Sequence, residues 1–312
     1  MKIVKLIYTI MLLYLISTSI SVAQDFKSLK LDEIILSDLS FKNVIRAFYS
    51  DKMLRVHVND ESFTKKIYVG LDTPKRLLEG QYSISPNNQV KLEIIDDSTL
   101  GMTEVTYEYV AYMDDIITYK NSNNEQRYLV PIITHAVSNG EIIQYRTSQG
   151  IIELFSFKKV KNGFQAVSRT PLDPYPTGTW GYPSWNAKEF FPHLKKMGKN
   201  LVGNYTLIDE SLGQGYSESF WEIIHLPENN YIQIFYILAG ESNAAAIGDE
   251  ESPLVYDYSS DLSIHDDNSE YFPLYIHFKG DKNEDDSTVI KSIDHKSIFI
   301  FDKEKYEYIK KN

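Results

Sequence analysis

The chain contains no cysteine, so no disulfide can staple it, no thiol can act as a nucleophile, and none can carry a lipid. Its stability has to come from packing. Positive charge is scarce as well: 32 Lys and Arg face 43 Asp and Glu, for a formal net charge of −11. An acidic surface repels phosphate backbones and anionic lipids, which argues against nucleic acid as a partner. The densest basic stretches, Lys158 to Lys161 and Lys195 to Lys199, lie beside turns and read as solvated strand ends. Catalytic signatures are missing too. The seven histidines, His57, His135, His193, His225, His265, His277 and His295, form neither an HExxH pattern nor a close zinc-type pair, and read as surface or strand residues. There is no G-x-S-x-G elbow and no P-loop.

What is present begins with an address. Lys2 and Lys5 give a positive start, Leu6 to Ile16 is uncharged and apolar, and Ser21-Val22-Ala23 supplies small residues for cleavage. The apolar run is shorter than the roughly 20 residues of a membrane-spanning helix. Residues 1–23 therefore read as a secretory signal peptide, with the exported chain starting near Gln24, periplasmic or extracellular, and without a stable membrane anchor. Losing Lys2 and Lys5 takes the formal charge from −11 to −13.

The 23 Tyr can furnish a core, and the apolar pattern says how. Leu36, Leu39, Phe41, Val44, Ile45 and Phe48 recur at three- and four-residue steps, predicting one helix over 36–49 capped by Ser37, Asp38 or Ser40. Elsewhere the period is two: Leu54 to Val58, Gln89 to Ile95, Val105 to Ala111, Ile151 to Phe157, Ser219 to Leu226 and Tyr231 to Leu238. Turn residues separate the runs, as at Ser85 to Asn88, Ser138-Asn139-Gly140, Lys161-Asn162-Gly163 and Leu212 to Gly215. Without a series of helical crossovers this pattern predicts antiparallel sheets and meanders. The proline-rich stretch Thr170 to Trp185 divides a β-rich half with one helix, 24–170, from an antiparallel β half, 171–312, unless the two form one continuous domain. Trp185 to Lys196 reads equally as helix or strand, because Pro192 lies inside it. Gly240 to Glu251 reads as a mobile loop, and Ile298 to Phe301 as a short buried run.

Two groups carry candidate chemistry. Tyr175, Trp180, Tyr182 and Trp185, with Trp221 further on, could stack on a sugar ring or anchor a protein partner, or else plug the end of a sheet. Asp281, Asn283 and Asp285 place oxygen ligands at alternate positions as calcium prefers, but the sixth and twelfth places of an EF-hand loop hold Asp286 and Ser292, which suits an acidic hairpin tip. No other cofactor is implied. The pairs Asp96-Asp97, Asp114-Asp115 and Asp266-Asp267 sit beside turn residues and read as loop tips. Asn204-Tyr205-Thr206 matches a glycosylation sequon.

At Arg127 to Val130, Gly163 to Arg169, Gly178-Thr179-Trp180-Gly181 and Gly213 to Tyr216, the chain resembles a loose group of uncharacterised exported β-rich bacterial proteins. The likeness covers roughly the last two thirds and rests on turn-and-aromatic motifs. Where that group has a cysteine and histidine stretch, this chain has Thr134-His135-Ala136. The resemblance implies a Gram-negative, periplasmic or surface setting and no particular activity. The expectation is an exported binding or interaction module for protein or carbohydrate; the alternative is a secreted hydrolase of glycans or cell-wall material.

Overall fold

The computed structural model describes residues 30–48, 53–56, 67–70, 109–138, 141–171, 177–185, 187–249, 252–283 and 289–311. The expected leader at 1–23, the expected turn at Ser85 to Asn88, the expected strand Gln89 to Ile95 and the pair Asp96-Asp97 lie outside the described residues.

The protein is mainly β, with antiparallel sheets and few helices. The first sheet holds nine strands: β1 (Ile35–Leu36), β2 (Met53–Val56), β3 (Ile67–Gly70), β4 (Tyr109–Met113), β5 (Ile117–Lys120), β6 (Gln126–Ser138), β7 (Glu141–Ile142), β8 (Ile151–Val160) and β9 (Gly163–Arg169). Its order is β1-β9-β8-β6-β4-β3-β2, with β5 and β7 also on β6. Strand β6 is the spine. It pairs with β5 and then β4 along one side and with β8 along the other, and its last residues, Val137 and Ser138, pair with β7. Pro131 sits in the middle of this central strand, where a proline normally breaks a ladder. Its carbonyl accepts the Asp114 N–H at 3.0 Å, so its missing N–H would point to the same side. That side is the gap between the last β5 pair, at Leu129, and the first β4 pair, at Ile132.

A helix, α1 (Phe41–Phe48), packs on this sheet. It starts later than the apolar period suggests, because Asp38 accepts the Ser40 N–H at 2.9 Å and the Asn43 amide at 2.8 Å, and the Ser40 carbonyl takes the Val44 N–H. Leu36, before that turn, pairs with Phe164 in β1 instead. Val44, Ile45 and Phe48 are buried, and the Phe48 ring lies 4.3 Å from that of Phe155. Beneath it, Arg169 and Glu153 form an ion pair at 3.1 Å that is all but sealed from solvent, with the guanidinium 5.0 Å from the Phe155 ring centre.

The second sheet is an eight-stranded meander: β10 (Lys195–Gly198), β11 (Leu201–Gly213), β12 (Tyr216–Leu226), β13 (Gln233–Ser242), β14 (Asp257–Ile264), β15 (Leu274–Asn283), β16 (Ile290–Asp302) and β17 (Glu307–Lys310). Strands β13 and β14 share two residue pairs, Glu241 with Tyr258 and Ser242 with Asp257. Beyond that short ladder, Met197, Ile223, Phe235, Leu262, Leu274 and Ile276 from both parts of the meander meet in one core. The other face of β11 to β13 packs on the first sheet: Val202, Ile224, Leu226 and Ile232 meet Leu129, Ile133, Ile152 and Leu154. Arg127 adds a fork onto Glu228 through two 2.8 Å bonds.

Several sequence expectations change. Between Trp185 and Lys196 the chain forms neither a long helix nor a long strand. It makes a short helix, α2 (Ala187–Phe190), then a 3-10 turn over Phe191–His193 that accommodates Pro192, then β10. Up to Asp249 the segment after Gly240 forms regular structure: β13 runs to Ser242, and α3 (Ala244–Ile247) ends on Gly248 in the left-handed conformation, while Glu250 and Glu251 lie outside the described residues. Ile298 to Phe301 is not a buried run, since Ile300 faces solvent. His135 and His225 are strand residues, on β6 and β12, and both are buried. Asn204 is buried, with its amide on the Phe190 carbonyl at 2.9 Å, so the folded sequon presents no acceptor. No helix among the described residues is long and apolar enough to cross a membrane.

Removing one partner of a buried ion pair strands the other charge, at a cost of about 3–5 kcal/mol. Glu153→Ala should lower unfolding stability by that much in urea titrations. Glu153→Leu combined with Arg169→Met should recover most of the loss.

Candidate interaction surface

Three turns come together at one end of the molecule. The first, Tyr145 to Ser148, is closed by the Ser148 N–H on the Tyr145 carbonyl at 2.9 Å. The second, Thr177 to Ser184, joins it through paired bonds between Gly150 and Thr177 and through the Gly181 N–H on the Ser148 carbonyl at 2.8 Å. The third is the β11–β12 hairpin tip, which the Arg146 guanidinium reaches by bonding the Ser211 carbonyl. The contacts leave little room. A side chain at Gly181 would meet the Ile143 carbonyl at 2.5 Å, and one at Gly215 would meet the backbone of α3 at 2.2 Å.

The second turn holds an unusual residue. Trp180 has φ 56, the left-handed conformation that a bulky side chain adopts at a cost of about 1–2 kcal/mol. Its side chain is not tucked into a core in return: the residue is 54% exposed. Tyr145 on the first turn is 70% exposed, and Leu212 and Tyr216 flanking the hairpin tip are 50% and 40% exposed. Large apolar side chains thus stand in solvent on all three turns.

The remaining aromatic candidates do other work. Tyr182 turns inward, 5.0 Å from the His135 ring, whose Nδ1 lies 2.6 Å from the Gly181 carbonyl. Trp185 packs against Phe190 and Phe191 in the core between the sheets. Trp221 lies in the other core, edge-on to Tyr205 and donating to Ser260 Oγ at 3.0 Å. Tyr175 lies outside the described residues. Among the described residues the structure does not gather these aromatic candidates into one platform, and Trp180 is the one it leaves largely exposed. Asp281 and Asn283 continue the β15–β16 ladder opposite Ser292 and Ile290, and Asp285 lies outside the described residues. Among the described residues no three His, Asp or Glu converge as a metal site would need. Asp114-Asp115 and Asp266-Asp267 fall between strands.

A row of carboxylates, which the sequence reading missed, lies next to the exposed turns. Alternate residues of a strand share a face. On β12, Leu226 and Ile224 lie in the core shared with the first sheet, and Glu222, Glu218 and Tyr216 continue that face toward the hairpin tip. Glu222 is 2% exposed and accepts the Tyr236 hydroxyl at 2.8 Å and the Ser184 hydroxyl at 3.4 Å. Burial pushes its carboxyl above the ordinary range, and the charges of Glu189 and Glu210 push the same way. Glu218 stands directly opposite Glu210 on β11 and Glu241 on β13. Partial burial, then the repulsion of Glu241 and Glu210, raises it as well. Glu241 in turn accepts the Tyr258 hydroxyl at 2.6 Å. The alternation Tyr216, Glu218, Glu222 was legible in the sequence; which strands flank it was not.

The raised carboxyl of Glu218 fixes the sign of a pH effect. Its folded form holds a proton more tightly than the unfolded chain, so this group's contribution to stability falls as pH rises from the ordinary value of 4.5 through the folded one. Glu218→Gln should therefore raise stability at pH 7 by about 0.2–1 kcal/mol, the size of a cross-strand charge pair. The gain should vanish below about pH 4.5, where both states are protonated; denaturant titrations at the two pH values would show it.

Comparison of the chain with protein-family models, with curated proteins and with solved structures finds no match.

Proposed function

We propose that the protein is an exported, non-catalytic binding module, working in the periplasm or outside the cell, that engages a partner through the surface around Trp180. The single observation carrying this reading is a tryptophan held in a costly backbone conformation with its ring in solvent. Packing does not repay that cost, and strain kept in an exposed turn points to use of the side chain. The composition nearby agrees: Tyr145, Arg146, Trp180 and Tyr216 are the residue types that dominate protein interface hot spots, which favours a protein partner over a sugar. Export rests on the charged, apolar and small-residue pattern of residues 1–23.

One observation favours the hydrolase reading: a carboxyl raised by burial, as in Glu222, is what a general acid requires. Its burial argues the other way. At 2% exposed, and capped by Ser184 and Tyr236, it has no open route to a glycosidic oxygen.

Glycine suits φ above zero, so Trp180→Gly should leave the melting temperature unchanged or raise it. Peptides selected from a displayed random library on the wild-type protein should lose at least tenfold in affinity for this variant. A loss of several kcal/mol in stability would mean that Trp180 packs, and unchanged affinity would remove it from the site. Glycan hydrolysis by the wild type that disappears in Glu222→Gln would replace the binding reading altogether.

A further inference from the structure

We infer that the partner segment docking at this surface is basic, an extended stretch in which arginine or lysine alternates with apolar side chains. The inference deepens the binding reading of the Trp180 surface and rests on it. Its warrant is charge complementarity. The apolar side chains that flank the hairpin tip are each followed along the strand by an acid: Tyr216 by Glu218 on β12, and Leu212 by Glu210 on β11. Strand pleating puts Tyr216, Glu218 and Phe220 of β12 on one face, so apolar and acidic groups alternate there with the period of an extended chain, while a bulge at Leu212 interrupts that alternation on β11. Glu241 lengthens the acidic row onto β13, opposite Glu218.

Like charges directly opposite each other across strands cost stability, and a cation laid along the row removes that cost. Among the described residues no ion pair neutralises Glu210, Glu218 or Glu241; Lys282, a basic group near the row, lies over the Tyr258 ring, 5.3 Å from its centre. Arg146, the one basic residue of the three turns, is engaged with the Ser211 carbonyl. The chain as a whole, at −11, repels acidic partners and steers basic ones. Trp180 fits the same ligand, since an exposed indole face attracts a guanidinium. A lone metal ion fits less well, because the described residues hold no converging group of three ligands.

Defined probes test the charge apart from the surface. The acetylated and amidated peptide (Arg-Leu)4 would be titrated against the full chain at low salt, followed by tryptophan emission, with (Glu-Leu)4 as its counterpart. The arginine peptide should bind, weaken steeply with added salt, and lose at least tenfold in affinity for the variant Glu210→Gln/Glu218→Gln/Glu241→Gln. It should bind normally to Asp261→Asn/Glu304→Gln/Glu307→Gln, which removes the same charge elsewhere. Equal binding to the two triple variants, or binding of the glutamate peptide, would overturn the inference. Calorimetric melting of each variant excludes unfolding as the cause of a loss. If Trp180→Gly abolishes binding while the acidic triple variant keeps it, the surface stands and the basic partner falls. If Trp180→Gly binds as the wild type does, the Trp180 reading itself fails.

Discussion

The end of strand β12 is buried on both faces, and the layering of the molecule follows from that constraint. Ile223 and His225 point into the core of the rolled meander, while Ile224 and Leu226 point into the core against the first sheet. Each aliphatic side chain so enclosed is worth about 1.5–3 kcal/mol, more than the net value of one ladder hydrogen bond. With no cysteine to add a disulfide, such contacts fix one sheet on the other together with the Arg127–Glu228 fork and the Ile232 N–H on the Arg169 carbonyl. His225 shows how completely the strand is dry. Burial pulls its pKa down to about 3, and it serves as another ring among Phe235, Tyr271, Phe301 and Tyr308.

The boundary of that burial creates the acidic row. Where the cover of the first sheet ends, the β12 face passes from Ile224 to Glu222, sealed by two hydroxyls, and then to Glu218, half open to solvent. The same alternation that drives packing at one end of the strand displays charge at the other. No separate element is needed to build the surface. The first two turns are joined to each other by backbone bonds and reach the hairpin end of this strand through Arg146.

Several of the strands were legible as apolar runs between turns, Ile151 to Phe157 among them, although that stretch of β8 is buried on both faces and encloses Glu153 and Ser156. The short elements were harder to read for identifiable reasons. Three alanines before a glycine looked like a mobile linker, although alanine is the best helix former and Gly248 makes the left-handed stop that ends α3. Pro131 gave no hint that it belonged in a central strand, because its tolerance depends on where β5 ends and β4 begins. The role of Trp180 was invisible for a different reason. Positive φ is read from glycine and asparagine, and a tryptophan there announces nothing. Trp221 and Trp185 looked like companions in sequence, but successive strands and the pleat put them in different cores.

The short ladder between β13 and β14 gives the molecule a seam of unlike materials. Along most of the meander, neighbouring strands are held by long runs of backbone hydrogen bonds; at this junction two residue pairs and the buried Asn243 side chain carry the polar link. Side-chain bonds from Tyr258 to Glu241 and from Trp221 to Ser260 add to it, and the rest of the join is apolar contact, which weakens on cooling while hydrogen-bonded ladders do not lose strength in the same way. The attachment of the four C-terminal strands therefore leans on apolar contact more than the rest of the meander does, and cooling should weaken this seam more than the long ladders on either side of it.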